Sequence, residues 1–411
     1  MTEARLLTGN GSAAWGARLA EVDYVPAFPI TPQTEIIETI AKWVAEGSMR
    51  AKMVQLESEH SMLTAAGSAS LAGARVFTAT SSQGLLYGME MLYNISGWRA
   101  PMVLVNVSRA LAAPIALEPD HNDVLAARDT GFVQLHAETC QEVLDLVLLA
   151  YRIAEDSRVR LPAIVNLDGF FLSFTRERVE MPERERVMRF LPDYVPTNPF
   201  SAERPVAKGS AVMEGDTYSY FRYHMHASCE RALDVLKEAS GEYESIFGRG
   251  YGPVEPYRLE DAEYALVMTN SFTTLGRQVV DNMRAKGVAA GLLKIRMFRP
   301  FPAEEVAAQL RGKRAVAVFD QDIAPGSGGI ICPEVAAAVY HDAERPKVVM
   351  PVIGGLGGKR LTIEELQTIF DELRRAEERR EKVPRTYFLM RREELERVEG
   401  ELATAGGGPT P

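Results

Sequence analysis

Up to about residue 174, short apolar runs alternate with longer stretches in which apolar positions recur every three to four residues. That is the pattern of parallel strands joined by crossover helices. Strands are expected over 23–28, 53–56, 75–80, 102–107 and 163–168, four of them nearly all apolar, as strands covered on both faces are. Together they read as one sheet. Helices are expected over 34–45, 61–72, 84–95 and 141–154, the last with an apolar stripe of Val143, Leu144, Leu146, Val147, Leu149 and Ala150. From about Thr175 to Ala262 the pattern loses its period in charged segments, scattered prolines and the polar aromatic run TYSYFRYHMHASCERA, which reads as a connector. Alternation then resumes: strand 264–270, helix 275–286, strand 289–294, helix 303–310, strand 315–320, and a turn PGSGG before helix 330–340. Beyond about Phe370, Glu and Arg dominate and the chain ends in AGGGPTP; this tail reads as a solvated helix with a frayed end, or as a docking arm for a partner. The fold class is α/β, divided into 1–174, a connector 175–262, a smaller α/β unit 263–370 and a charged tail 371–411.

Composition narrows the function. At about 150 residues per domain, 411 residues make two or three domains. Lys and Arg number 46 against 56 Asp and Glu, a formal charge of −10, which disfavours nucleic acid as a partner. The three cysteines, Cys140, Cys229 and Cys332, form no C-x-x-C pair, so neither a zinc site nor an iron–sulfur cluster is expected on this chain. With no basic leader before an apolar core and no apolar run of about 18 residues, the reading is a reduced, soluble, cytoplasmic protein outside the membrane.

Several familiar motifs fail. There is no G-x-S-x-G elbow, GGLGGKR lacks the spacing of a phosphate loop, and PGSGG is at best part of a dinucleotide fingerprint. His224, His226 and Cys229 lack a second group of ligands and read as structural or surface residues rather than a metal site. The remaining signals lie where strands end, the place at which open α/β sheets build ligand crevices. In FPITPQTE (28–35) a strand enters a Pro-bracketed loop, with Thr34 as a helix-cap candidate. In QLESEHS (55–61) two carboxylates and an imidazole follow a buried strand, placed either for helix capping or for chemistry. In NVSRALAAP (106–114) a buried strand delivers Arg109, whose fork suits a structural partner or a carboxylate or phosphate ligand.

These segments, with GNGSAAWGA (9–17), ESEHSMLTAAGSASLAGARVFTATSSQGL (57–85), DHNDVLAARDTGF (120–132), NLDGF (166–170), FGRGYGPVEPY (247–257), KIRMFRPFP and PVIGGLGGK, resemble the alpha subunit of pyruvate:ferredoxin oxidoreductase, in the wider 2-oxoacid:ferredoxin oxidoreductase family. The resemblance covers nearly everything except the tail. It implies a thiamine-diphosphate-binding sheet domain holding the aminopyrimidine, followed by a transketolase C-terminal-like domain. It also implies oxidative decarboxylation of a 2-oxo acid to an acyl-coenzyme A and CO2, with electrons passed to ferredoxin or another acceptor. Thiamine diphosphate would be shared with a beta subunit carrying the diphosphate site, Mg2+ and a 4Fe-4S cluster; gamma and ferredoxin-like delta subunits complete the complex, and coenzyme A is the co-substrate.

Carried onto this sequence, the activating glutamate falls on Glu59, with Glu57 as the competing assignment. Its carboxylate would bond the pyrimidine N1′ and favour the imino tautomer that removes the C2 proton, a charge-assisted bond of about 1.5–3 kcal/mol. Thr31 and Arg109 match the residues that meet the substrate's oxygens and carboxylate. Phe28, Pro29, Ser82 and Gln83 fall on the cofactor side, and Asp120 and His121 on the substrate side. Two departures bear on the substrate: Phe28 stands where many pyruvate enzymes have tyrosine, and IALEPDHND (115–123) differs from the usual run. A less polar pocket suits a branched or aromatic 2-oxo acid such as phenylglyoxylate as an alternative to pyruvate. A non-catalytic scaffold and a thiamine-dependent carboligase without electron transfer stay open as the other readings.

Overall fold

The computed structural model describes residues 3–379 and 386–404. Its first sheet has the order Met297–Arg299, Val133–His136, Ala163–Asp168, Val103–Ser108, Phe77–Thr80. The four strands from the N-terminal half are parallel, with Val103 beside Ala163 and Phe77 beside Val103. VLVNVS and AIVNLD are buried at every position because helices cover both faces. Gly9–Leu19 packs on Cys140–Ala154 so closely that a Cβ on Gly16 would lie 2.7 Å from Val147 Cβ. Thr8 starts the first of these helices by accepting the Gly11 N–H (2.9 Å), and Thr139 caps the second through the Glu142 N–H (3.2 Å).

Three sequence expectations change here. The strands Tyr24–Ala27 and Lys52–Gln55 form a parallel pair of their own, tied to the first sheet by a single bridge from Tyr24 to Val76. Pro26 has no N–H to extend a ladder, and its carbonyl accepts from the Thr78 hydroxyl (2.8 Å). The expected helix 84–95 is two helices, Ser82–Tyr87 and Met89–Trp98, parted at Gly88, where a side chain would collide with Leu63. The connector is ordered: Arg176–Glu180 pairs antiparallel with Ala4–Thr8, and Gly215–Phe247 is a helix of 33 residues.

The second sheet has the order Tyr387–Phe388, Val348–Ile353, Ala315–Asp320, Tyr264–Met268, Ala290–Ile295, Val254–Tyr257, antiparallel only at its last strand. Helix Ile363–Arg379 buries Leu366, Ile369, Phe370 and Leu373 against it, so this part of the charged tail is the outer layer of the second unit. A further helix, Arg392–Thr404, follows; the terminal run AGGGPTP lies outside the described residues.

The two halves share structure. Met297–Arg299, from the second half, closes the edge of the first sheet antiparallel to Val133–His136. Across the same seam Glu142 meets Lys294 Nζ (2.5 Å) and Arg296 Nη2 (2.9 Å), and Arg296 is also held by Glu255. Apolar side chains from both halves, Leu125, Phe132 and Ile164 with Leu293, Phe298 and Val316, form one continuous core.

Candidate active site

The loops that follow the first-half strands meet at the carboxyl ends of those strands. Glu59 opens the helix Glu59–Leu71, which Ser58 caps by accepting the Ser61 N–H (3.2 Å). Its side chain turns inward and is 6% exposed. Among the described residues its carboxylate has no hydrogen-bond or ion-pair partner. Gly84 faces it: a Cβ there would run into the Glu59 carboxylate and come within 2.6 Å of Thr80 Oγ1. With no side chain at Gly84 the Glu59 carboxylate packs directly on that turn, and the Thr80 hydroxyl beside it is buried without a partner. Glu57, two residues earlier, is exposed and holds the Ser61 hydroxyl, a bond that keeps its carboxyl below the usual range.

Arg109 reaches across to the loop after the Tyr24–Ala27 strand. Its Nη1 donates to Thr31 O (2.8 Å), its Nη2 to Gln83 Oε1 (3.0 Å), and its Nε is buried without a partner. Burial lowers its pKa, and the charges of Asp123 and Glu59 oppose that shift, so this guanidinium already sits in the field of Glu59. Gln33 Nε2 donates to Phe28 O (2.8 Å) and shapes the 28–33 loop, leaving Phe28 half-buried and Pro29 and Thr31 exposed at its rim. Ser82 is buried, with Oγ 2.9 Å from Ala110 O and 2.6 Å from Gln83 Oε1, so its hydroxyl is engaged within the loops.

Sequence reasoning missed the residue beneath these loops. Asp123 is fully buried and accepts from Ser82 N (2.9 Å), Arg109 N (3.2 Å), Asn106 Nδ2 (3.1 Å), Ser108 Oγ (2.9 Å) and Val124 N (2.7 Å). Burial raises its pKa and these bonds oppose the rise. The available signal is that both buried strands, VLVNVS and AIVNLD, end in polar pairs; Asn166 Oδ1 joins the network from the second, 2.9 Å from Asn106 Nδ2.

Asp120 and His121 stand apart from this group. His121 is fully buried with Nε2 2.7 Å from Asp168 Oδ1. Burial opposes its charged form, but the Asp168 charge prevails and raises its pKa, while His121 holds Asp168 low against the same desolvation. Asp168 also holds Ser271 of the second half through its N–H (3.0 Å) and its hydroxyl. The pair is a fastening between halves, and it engages the His121 side chain in this structure. Asp120 is 7% exposed, and burial pushes its carboxyl up to about 6.

His224 and His226 lie on the long helix, the first 2.9 Å from Arg99 and the second against Glu230 (3.3 Å). Among the described residues no group of three or more His, Cys, Asp or Glu is placed to hold a metal ion, and no helix is long and apolar enough to cross a membrane.

Comparison with known proteins agrees with this architecture. The family model of the thiamine diphosphate-binding domain of pyruvate flavodoxin/ferredoxin oxidoreductase matches residues 15–240, and that of pyruvate:ferredoxin oxidoreductase core domain II matches residues 262–366. Pyruvate synthase subunit PorA of Methanothermobacter thermautotrophicus is 42% identical over 365 residues, 89% of this chain and 94% of that protein. Ketoisovalerate oxidoreductase subunit VorA of Pyrococcus horikoshii is 39% identical over 376 residues, 91% of this chain and 94% of that protein. A solved 2-oxoglutarate:ferredoxin oxidoreductase from Magnetococcus marinus has the same fold, with a TM-score of 0.72 at 18% identity over 90% of this chain; the chain spans 65% of that longer one. With both family models in sequence order and relatives of this identity along almost its full length, the chain belongs to the pyruvate:ferredoxin oxidoreductases, among their alpha subunits.

Proposed function

We propose that this chain supplies the aminopyrimidine side of a thiamine diphosphate site for the CoA-acylating oxidative decarboxylation of a 2-oxo acid, pyruvate in the first instance. The observation that carries the reading is the Glu59 carboxylate, buried, without a hydrogen-bond or ion-pair partner among the described residues, and packed on Gly84 beside the unpartnered Thr80 hydroxyl. That set fits the cofactor: a buried carboxylate acceptor suits a protonated pyrimidine nitrogen. When bound, thiamine diphosphate supplies the nucleophilic carbon and the electron sink for loss of CO2.

This chain's residues then have separate tasks. Glu59 accepts a hydrogen bond from the ring nitrogen, a bond strengthened by exclusion of water. Arg109, already fixed by Thr31 and Gln83, offers its fork to the carboxylate that all 2-oxo acids share. Loss of that carboxylate as CO2 removes the partner from a half-dry guanidinium, so the contact favours the bound oxo acid and not the product. Phe28 and Pro29 border the cofactor side.

In this reading the clusters, the Mg2+ and the diphosphate grip belong to beta, gamma and delta partners in the cytoplasm, since the sequence has only three cysteines and no C-x-x-C pair. A branched or aromatic 2-oxo acid is the second reading. Phe28 and the 39% identical ketoisovalerate oxidoreductase subunit favour it. The deciding experiment is Glu59→Gln against Glu57→Gln in the assembled complex, assayed with pyruvate, 2-oxoisovalerate, 2-oxoglutarate and phenylglyoxylate and a viologen acceptor. Glu59→Gln is expected to lower turnover by about 10²-fold or more while Glu57→Gln stays near wild type; the reverse order overturns the assignment. Unchanged rates in both would favour the scaffold reading.

A further inference from the structure

We infer that Asp123 is a positioning residue that sets Arg109 and the Ser82–Gln83 turn for the oxo acid, and that the second half of the chain holds Asp123 in place. The inference rests on the reading of Arg109 as the partner of the substrate carboxylate.

Two loops that come from different strands need a common reference if Arg109 and Gln83 are to stay in register. Asp123 provides it by accepting the backbone N–H of both loops, Ser82 N and Arg109 N, on one oxygen, Oδ2. Ser82 takes a left-handed backbone (φ 50°), a conformation that a non-glycine residue keeps only where its surroundings over-determine it. The Asp123 bond and the Ser82 hydroxyl against Ala110 O do so. From below, Asn106 and Ser108 anchor the same carboxylate to the strand Val103–Ser108, and both also donate to Asn166 Oδ1 on the neighbouring strand.

The segment that carries Asp123 is in turn gripped by the second half. Asn122 makes a reciprocal pair with Ile323, Nδ2 to Ile323 O (3.1 Å) and Oδ1 from Ile323 N (2.8 Å). His121 N donates to Gln321 O (2.8 Å), and Gly358 N donates to Pro119 O (2.8 Å). Gly358 has φ 76°, and a Cβ on it would collide with Glu118, so the glycine run lets the two backbones approach this closely. A path of bonded groups therefore leads from 321–323 and 355–358, through Asn122 and Asp123, to Arg109. The second half acts as a clamp on the substrate arginine without touching substrate.

The test is a double-mutant cycle on the assembled complex, reading KM and kcat for the 2-oxo acid beside the melting temperature. Asp123→Asn leaves one acceptor oxygen for five donors and is expected to lower kcat/KM by about 10²-fold, mainly through KM, as small misplacements of binding groups do. In an Arg109→Met background, where the guanidinium that Asp123 and the Ser82–Gln83 turn set for the carboxylate is gone, the same change is expected to alter KM by less than about 2-fold, the signature of coupled sites. A purely structural role would lower the melting temperature while leaving the KM effects multiplicative, and that outcome overturns the inference. If Asp123→Asn fails to assemble, Asn122→Ala carries the same cycle, with an expected KM rise of about 2- to 30-fold that disappears in the Arg109→Met background. Should Arg109→Met raise KM while neither positioning variant does, the clamp is wrong and the site reading stands. An Arg109→Met enzyme with unchanged KM overturns the Arg109 reading itself, and the clamp with it.

Discussion

Glu59 and Glu57 lie two residues apart on one turn of chain, yet one carboxylate is buried against Gly84 and the other faces solvent on a serine. The Glu59 carboxylate fits there because Gly84 has no side chain. Gly84→Ala is therefore expected to weaken thiamine binding to the complex by at least about 10-fold, read by titration, with a stability loss of about 1–3 kcal/mol from overpacking. Thiamine affinity equal to wild type would show that the placing of Glu59 against Gly84 plays no part in holding the ring. At this scale the sequence was informative about placement: Glu59, Arg109 and Thr31 follow strands, as their segments lead one to expect. It was uninformative where a role depends on distant partners. Asp123 gathers donors from Ser82 and Asn106, 41 and 17 positions away, and His121 turns inward to Asp168, 47 positions on; neither distance leaves a local mark.

Elements with one dry face were legible and those without were not. Thr34–Ala45 and Ala303–Leu310 fall where their apolar stripes predict them. Gly215–Phe247 escaped detection because its first ten residues are exposed on almost every side, Tyr218, Tyr220, Phe221 and Tyr223 each by more than half; a helical face begins only at Met225 and continues through Ser228, Ala232, Val235 and Leu236. Helix Cys140–Ala154 carries the charge that joins it to the second half. Burial by itself would push Glu142 up, but Lys294 and Arg296 overcome it and bring the carboxyl down to about 2. A carboxyl held below its ordinary value of 4.5 stabilises the fold fully above that pH and loses the contribution as pH falls towards 2. Glu142→Gln, which leaves two buried cations short of a partner, is expected to cost about 3 kcal/mol or more at pH 7. Denaturant titrations of wild type and variant should converge between pH 4.5 and 2; a gap that persists at the acid end would contradict this account.

As a whole molecule the chain is built on two large sheets that cannot be separated cleanly, and this, too, was hidden. The expected boundary near residue 262 follows the change of pattern in the sequence, yet Met297–Arg299 completes the first sheet from beyond it, and Phe298 sits in the core that Phe132 and Leu125 begin. Alternation of strands and helices marks each unit and is silent about a strand lent from one to the other. A fragment ending at residue 262 would leave the Val133–His136 edge unpaired and its apolar neighbours wet. It is expected to show no cooperative thermal transition and to associate in solution, whereas the full chain melts cooperatively; light scattering and calorimetry on the two distinguish these outcomes. Sharp two-state melting of the fragment would mean that the lent strand is dispensable.

The same lent strand orders events during synthesis. Residue 299 leaves the ribosome long after Asp168 has completed the last parallel strand, and at about 5–20 residues per second the interval is several seconds or more. For that time the nascent N-terminal half carries an open strand edge beside exposed apolar surface, the state most prone to pair with a neighbouring chain. Folding of this subunit is in that sense a race between its own second half and its sister chains on the same message, and slow translation downstream of residue 168 would tilt it towards aggregation.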